Sequence, residues 1–244
     1  MVKQSNRKER GAYRMDKLVK IMPRDRVLLV LDRGFELARF AIAAARYETS
    51  LKYWSNDYRN ASGSYKIAGI FGKGSTELEK HNAHHVPWYL SPKAQHPYED
   101  AGTGVYGNGM IVLDYPNKQD VHKYTKARNN GMLKRIWGDF CKNHMRPIYE
   151  YISHNNSIPF ESIVVKTDYG ESTYPELLES CPILDEKVAF ELGVAIHGTN
   201  DPDCIGTSIS AGCIRMHNAD ILKLMRMVEV GTDVELHESE FYSM

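Results

Sequence analysis

Toward its C-terminal end the chain carries three side chains whose types suit acyl transfer: His197, Cys213 and Arg215. An apolar run ends at His197-Gly198, and a loop then leads to Ser210-Ala211-Gly212-Cys213-Ile214-Arg215. A thiol attacks a carbonyl well only as thiolate, so it needs a base or a positive charge nearby. His197 is suited to be that base. Gly212 lets the backbone approach a substrate closely, and amides around Cys213 are placed to bind a developing oxyanion. Arg215 adds a permanent charge that either depresses the thiol pKa or holds a substrate carboxylate. Cys213 and His197 are thus the catalytic candidates, with Ser210, Gly212 and Arg215 the candidates for oxyanion or substrate contact. Each taken singly has a plainer reading, since a lone cysteine commonly acts as a small buried hydrophobe.

The combined string resembles the catalytic motif of YkuD-type L,D-transpeptidases, where His-Gly is followed by a loop and then by Ser-x-Gly-Cys, an apolar residue and Arg. The matching positions are His197, Gly198, Ser210, Gly212, Cys213 and Arg215. Asn218–Ile221 and Val230–Val234 are similar to the family's last helix and strand. Arg26–Ala41 and Gly63–Ile67 are similar to its opening strands, and Gly109–Asn117 to a strand and turn of some members. Many members carry His where this chain has Ala211, so that His takes no part here.

The resemblance implies a mainly β, sandwich-like catalytic fold with a helical insertion, α+β overall. It implies that Cys213 attacks the carbonyl joining an L-configured centre to a terminal D-residue of a peptidoglycan stem peptide. His197 would take the thiol proton and return it to the leaving amine, and the Gly198 carbonyl would orient the imidazole. The acyl-thioester would pass to an amine acceptor, or to water in an L,D-carboxypeptidase or amidase. No metal or organic cofactor is implied. A non-catalytic wall-binding module is the third reading, and it leaves the joint presence of Cys, His, Gly and Arg unexplained.

Other motifs fail on their context. Gly102-Thr103-Gly104-Val105-Tyr106-Gly107 spells G-x-G-x-x-G, but a His/Pro-rich loop precedes it and a strand follows, the wrong surroundings for a pyrophosphate. In Gly72-Lys73-Gly74-Ser75 the Lys and Ser are not adjacent, as a P-loop requires. His81, His84, His85 and His96 lack the acidic partner of an H-E-x-x-H zinc site and run into Pro87, so they read as a polar loop lining a cleft.

The elements that must position the site follow from periodicity. Apolar runs at Val27–Leu31 and Phe35–Ala41, joined by Asp32-Arg33-Gly34, predict a β-hairpin. Ser64–Phe71, Met110–Tyr115, Ile163–Lys166, Val188–Ile196 and Val234–Leu236 read as strands. From about Asn130 to Ser153 the period turns helical, with Met132, Leu133, Ile136, Trp137 and Phe140 on one face. Pro147 ends that helix or starts another, and Tyr174–Cys181 adds a short one. A final helix is expected with Asn218 as N-cap and Gly231 as its stop.

These elements divide the chain into a basic, poorly ordered leader over 1–25, a catalytic domain over 26–240, and within it a helical insertion over 116–187, read either as a lid or cleft wall or as a stabilising surface appendage. Met1 to Arg26 carries nine Lys/Arg against three Asp/Glu, yet the whole chain is neutral, which argues against nucleic acid as a partner. With 42% apolar residues there is enough for an ordinary core. No apolar run reaches membrane-spanning length, so no stable membrane insertion is expected. The implied function requires a periplasmic or other extracytoplasmic location, with the export signal taken to be removed. The spacing of Cys141, Cys181, Cys204 and Cys213 includes no C-x-x-C. It allows one disulfide but no disulfide-dense scaffold.

Overall fold

The computed structural model describes residues 16–46, 52–54, 57–72, 106–167, 169–190 and 193–237. The four His of the loop 81–96, and all of the two glycine-rich strings except Gly72, Tyr106 and Gly107, lie outside these residues.

The chain opens with three antiparallel strands, β1 (Lys17–Met22), β2 (Val27–Asp32) and β3 (Phe35–Ala45). The turn between β2 and β3 consists of Arg33 and Gly34, at φ 50° and 84°. Two successive residues at positive φ match the right-handed twist of the flanking strands, which is why Asp-Arg-Gly closes this hairpin. β1 corrects the expected leader boundary at residue 25. Its Val19 and Ile21 are fully buried, and it pairs with β2 on one side and a C-terminal strand on the other. Net basic charge in residues 1–26 masked the alternation of apolar side chains in Leu18–Ile21.

Two longer strands follow, β4 (Gly63–Gly72) and β5 (Gly109–Leu113), and the short strands β8 (Ala195–His197), β9 (Ser208–Ser210), β10 (Ile214–Met216) and β11 (Asp233–Leu236) complete the sheet. Its order is β10-β8-β5-β4-β11-β1-β2-β3-β9, and β10 also pairs with β3. That last pairing joins the end strand β10 to β3, the neighbour of the other end strand β9, so the sheet closes on itself and leaves fewer open edges. Its interior holds Val19, Ile21, Leu28, Val30, Ile42, Ile67, Ile111, Ile196, Ile214 and Val234, all buried. Each such side chain contributes about 1.5–3 kcal/mol relative to exposure. Helix α6 (Asn218–Met227) covers this core with Ile221 and Leu224.

Between β5 and β8 lies the helical segment, which runs two residues past the span 116–187 expected as an insertion. It contains α1 (Lys118–Asn129), α2 (Met132–Phe140), a π turn at Cys141–Met145, α3 (Arg146–Asn156), the small hairpin β6 (Val165–Thr167) and β7 (Gly170–Ser172), α4 (Tyr174–Ser180) and α5 (Glu186–Ala189). Helix α1 lies outside the expected helix limits. Its signal is a capping box: Asn117 accepts from the Gln119 and Asp120 amides, and Asp120 accepts from the Asn117 amide. Pro147 stands in the first turn of α3, where its missing N–H costs nothing. The expected strand over 188–196 is wrong in its first part. Asp185 caps α5 by accepting from the Lys187 amide, so Val188 and Ala189 are helical, and among the described residues of that span the strand is Ala195–His197.

This segment has its own core, in which Leu133, Trp137, Cys141, Tyr149, Leu177 and Ile183 are buried together with Trp54 from the loop after β3. Trp54 and Trp137 meet edge to face, with centroids 6.2 Å apart. Phe190 packs against both cores and meets Tyr115 and Tyr124 edge-on or tilted. Among the described residues no helix is long and apolar enough to cross a membrane.

Candidate active site

Parallel pairing of β8 with β10 aligns Ile196 with Ile214 and His197 with Arg215. Cys213 immediately precedes β10, so the imidazole and the thiol are delivered from adjacent strand ends. On its other side β8 pairs with β5, Met110 opposite His197. The thiol is partly exposed and packs against a small cluster of Phe71, Met110, Val112 and Ala195. The other cysteines, Cys141, Cys181 and Cys204, are buried, and all four are free thiols.

His197 is 3% exposed, and its Nδ1 lies 2.5 Å from the Gly198 carbonyl oxygen. A carbonyl only accepts, so Nδ1 carries the proton and Nε2 is left as the basic nitrogen. Burial lowers the His197 pKa to about 4, with the Gly198 carbonyl opposing that shift and the Arg215 charge adding to it. Burial also pushes the Cys213 thiol up, against the opposing pull of the Ala195 amide, Lys52 and Arg215. Both shifts favour the uncharged forms, a thiol and a neutral imidazole. The Arg215 charge acts against the rise of the thiol, but burial outweighs it. Arg215 is partly buried, and its Nε has no hydrogen-bond partner among the described residues.

The loop ahead of Cys213 is held by Ser210. Its hydroxyl donates to the Cys213 carbonyl at 2.5 Å and accepts from the Gly212 amide at 3.2 Å. Ser210 is buried with its hydroxyl engaged in both directions, and it shapes the loop. The Gly212 amide is engaged by that same hydroxyl. Glycine is required at 212 on two counts. Its φ is +141°, and a Cβ there would meet Lys52 Nζ at 2.6 Å and the Arg59 carbonyl oxygen at 3.1 Å.

Lys52, Tyr106 and Asn218 also build the site, and none was singled out for it from the sequence. Lys52 is buried and ion-paired with Asp57 at 2.9 Å, while Asp57 also accepts from the amides of Tyr53, Trp54 and Arg59. Tyr106 packs edge-on against the His197 ring, with centroids 4.9 Å apart, and burial raises its phenol to about 12. It stands in the glycine-rich string rejected as a dinucleotide site.

Asn218 is not the N-cap of α6. That place belongs to His217, and the Asn218 side chain clasps two loops instead. Its Oδ1 accepts from the Asn108 amide at 3.0 Å and the Thr199 amide at 3.2 Å, and its Nδ2 donates to the Thr199 carbonyl at 3.0 Å. The bare faces of Gly107 and Gly198 admit it, since a Cβ on either would overlap Oδ1.

Among the described residues no three His, Cys, Asp or Glu side chains are grouped to hold a metal ion. A groove of about 650 Å³ lined by Lys17, Ser64, Glu229 and Asp233, among others, includes neither His197 nor Cys213.

The family model of the YkuD L,D-transpeptidase catalytic domain matches residues 16–236. Locally, the chain is 56% identical over 41 residues to YkuD of Bacillus licheniformis, which is 17% of this chain and 25% of that one. It is 52% identical over 42 residues to YkuD of Bacillus subtilis, 17% of this chain and 26% of that one. Among solved structures, the helical cell shape determining protein Pgp2 of Campylobacter jejuni aligns over 92% of this chain and 48% of its own, with 15% identity and a TM-score of 0.43. An L,D-transpeptidase of Mycobacterium tuberculosis aligns over 92% of this chain and 58% of its own, with 9% identity and a TM-score of 0.40. The aligned parts thus span about a quarter of those curated relatives and about half of those solved chains.

Proposed function

The chain belongs to the L,D-transpeptidase catalytic-domain family, and from that premise we propose that it is a cysteine acyltransferase acting on peptidoglycan stem peptides. The observation that carries this reading is the His197 imidazole, neutral, held through Nδ1 by the Gly198 carbonyl, on the strand beside the one that presents Cys213.

In the proposed reaction Cys213 Sγ attacks the carbonyl carbon that links an L-configured centre to a terminal D-residue. His197 Nε2 takes the thiol proton as the C–S bond forms, because the resting thiol is protonated and no thiolate is stored. The tetrahedral oxyanion is met by the Cys213 amide and by Arg215, whose charge already acts on the thiol. Collapse breaks the C–N bond, and the imidazolium returns the proton to the departing amine. The acyl group then rests on Cys213 as a thioester. An incoming amine attacks the thioester and gives its proton to His197, the C–S bond breaks as the new amide forms, and the imidazolium returns that proton to sulfur, restoring the thiol. Water in place of the amine gives L,D-carboxypeptidase or amidase activity with the same residues. Wall peptides as substrate place this chemistry outside the cytoplasm.

Incubation of purified muropeptides with and without an amine acceptor, read by mass spectrometry, tests the reading. Cross-linked product that depends on the acceptor supports transpeptidation. Shortened peptides alone would assign hydrolysis, and unchanged peptides in both arms would overturn the proposal.

A further inference from the structure

Beside the Ser210–Cys213 loop stands a group of cations and aromatic rings that the proposed chemistry does not use. Arg46 leaves β3 with its amide donating to the Ser210 carbonyl at 3.2 Å. Its guanidinium lies over the Tyr58 ring, 5.2 Å from the centroid. Arg59 lies over Trp54 at 5.7 Å, and its carbonyl is the atom that would press on a side chain at 212. From the helical segment, Phe140 stacks on Tyr58 at 6.4 Å, and His144 of the π turn meets Tyr58 at 5.7 Å and Phe140 at 5.0 Å. Three separate parts of the chain, the end of β3, the loop 57–60 and the π turn, thus converge next to the proposed nucleophile.

The charges in this group are not balanced. Among the described residues neither Arg46 nor Arg59 has a carboxylate within ion-pair reach, since Asp57 is engaged by Lys52 and by backbone amides. Among the described residues, Arg59 Nε and Asn60 Nδ2 are buried donors without acceptors. Buried N–H groups left unpaired are uncommon in folded proteins. Stacking on aromatic faces holds a guanidinium in place while leaving its N–H edge in the ring-parallel plane open to an anion. Tyr58 itself sits at φ 58°, a conformation that a bulky residue keeps only where its surroundings impose it. Burial and the two nearby arginines keep His144 below its ordinary pKa, which disfavours a third charge beside them.

We propose that Arg46 and Arg59, carried on Tyr58 and Trp54 and flanked by His144, form a subsite for a carboxylate of the peptide substrate. The inference rests on the acyl-transfer reading for its choice of carboxylate, the anionic group that a stem peptide carries. It also gives the π turn of the helical segment a part in substrate choice.

The test is binding, which does not require turnover. Calorimetry on the Cys213→Ala protein would compare a stem tetrapeptide bearing free carboxylates with the same peptide converted to amides. The expected result is at least a tenfold preference for the free carboxylates, reduced to near parity in the Arg46→Gln/Arg59→Gln variant with melting unchanged. Arg46 is exposed, so Arg46→Gln alone keeps its fold and serves where the double variant does not. Equal binding of the two peptides, or a preference that survives the substitutions, would overturn the subsite. Thioester formation on wild-type Cys213 by the amidated peptide is scored separately. Its absence with both peptides would count against the acyl-transfer reading and leave the binding comparison intact.

Discussion

Asn218 fills the space that a side chain on Gly198 would need. Because the Gly198 carbonyl receives the His197 Nδ1 proton, Asn218 supports the base without touching it. Through the Asn108 amide it also holds the loop that seats Tyr106 against the imidazole.

Asn218→Ala is therefore expected to slow acylation about 10- to 100-fold, the scale of a displacement of about 1 Å in a reacting group. Melting should fall by no more than the loss of a few partly buried hydrogen bonds, about 1–3 kcal/mol. Single-turnover acylation together with thermal unfolding checks this. Unchanged acylation in a destabilised protein would reduce Asn218 to a structural clasp.

At Gly212, alanine must adopt φ +141° and displace Lys52 Nζ or the Arg59 carbonyl. Gly212→Ala should cost about 1–3 kcal/mol in stability. It should also cost more in acylation rate than Gly131→Ala, a change at another positive-φ glycine where a Cβ meets nothing within 4 Å. Urea unfolding and acylation rates on both variants decide it.

How much of this was legible in the sequence divides by range. Cys213, His197, Gly198 and Arg215 lie within nineteen positions on two neighbouring strand ends, so a linear string carried their association. The hairpin at Arg33-Gly34 was legible because its turn chemistry is local. Lys52, Tyr106 and Asn218 reach the site only through tertiary contacts that no local period encodes. Tyr106 sat inside a string set aside for its usual meaning, and its partner lies ninety-one positions away. Asn218 read as a cap because Asn before an amphipathic run is the ordinary signal, whereas here two glycines open a different set of partners. β1 was lost to the charge of the segment around it, and α1 to its weak apolar face, although its capping box was there to be read.

The lowered pKa of His197 has a pH signature in stability. Unfolded, the imidazole titrates near 6.5, and folded near 4. Between those values the unfolded chain binds the extra proton, so stability is complete above about pH 6.5 and declines as pH falls toward 4. The loss is about 3 kcal/mol. Equilibrium unfolding from pH 7 to 4 should show this decline in the parent and a shallower one in His197→Gln. Parallel curves would contradict the buried neutral imidazole. The same substitution should slow acylation about 10²–10⁴-fold.

The raised thiol predicts the shape of its reactivity. Alkylation of Cys213 by a small haloacetamide should climb steadily through pH 8 and 9, without a shoulder between pH 5 and 7. A shoulder in that range would mean a preformed thiolate–imidazolium pair. Mass-spectrometric counting of the adduct on Cys213 separates it from the buried Cys141, whose thiol burial raises to about 12.

The central claim is that Cys213 carries the acyl group. Intact-mass measurement of the protein mixed with a stem tetrapeptide, quenched in acid during turnover and mapped by proteolysis, tests it most directly. One acyl adduct is expected, labile to hydroxylamine as a thioester is, on the peptide containing Cys213. No adduct and no turnover are expected in Cys213→Ala that melts like the parent. Turnover that persists in Cys213→Ala, or an adduct mapped to Cys204, would contradict it.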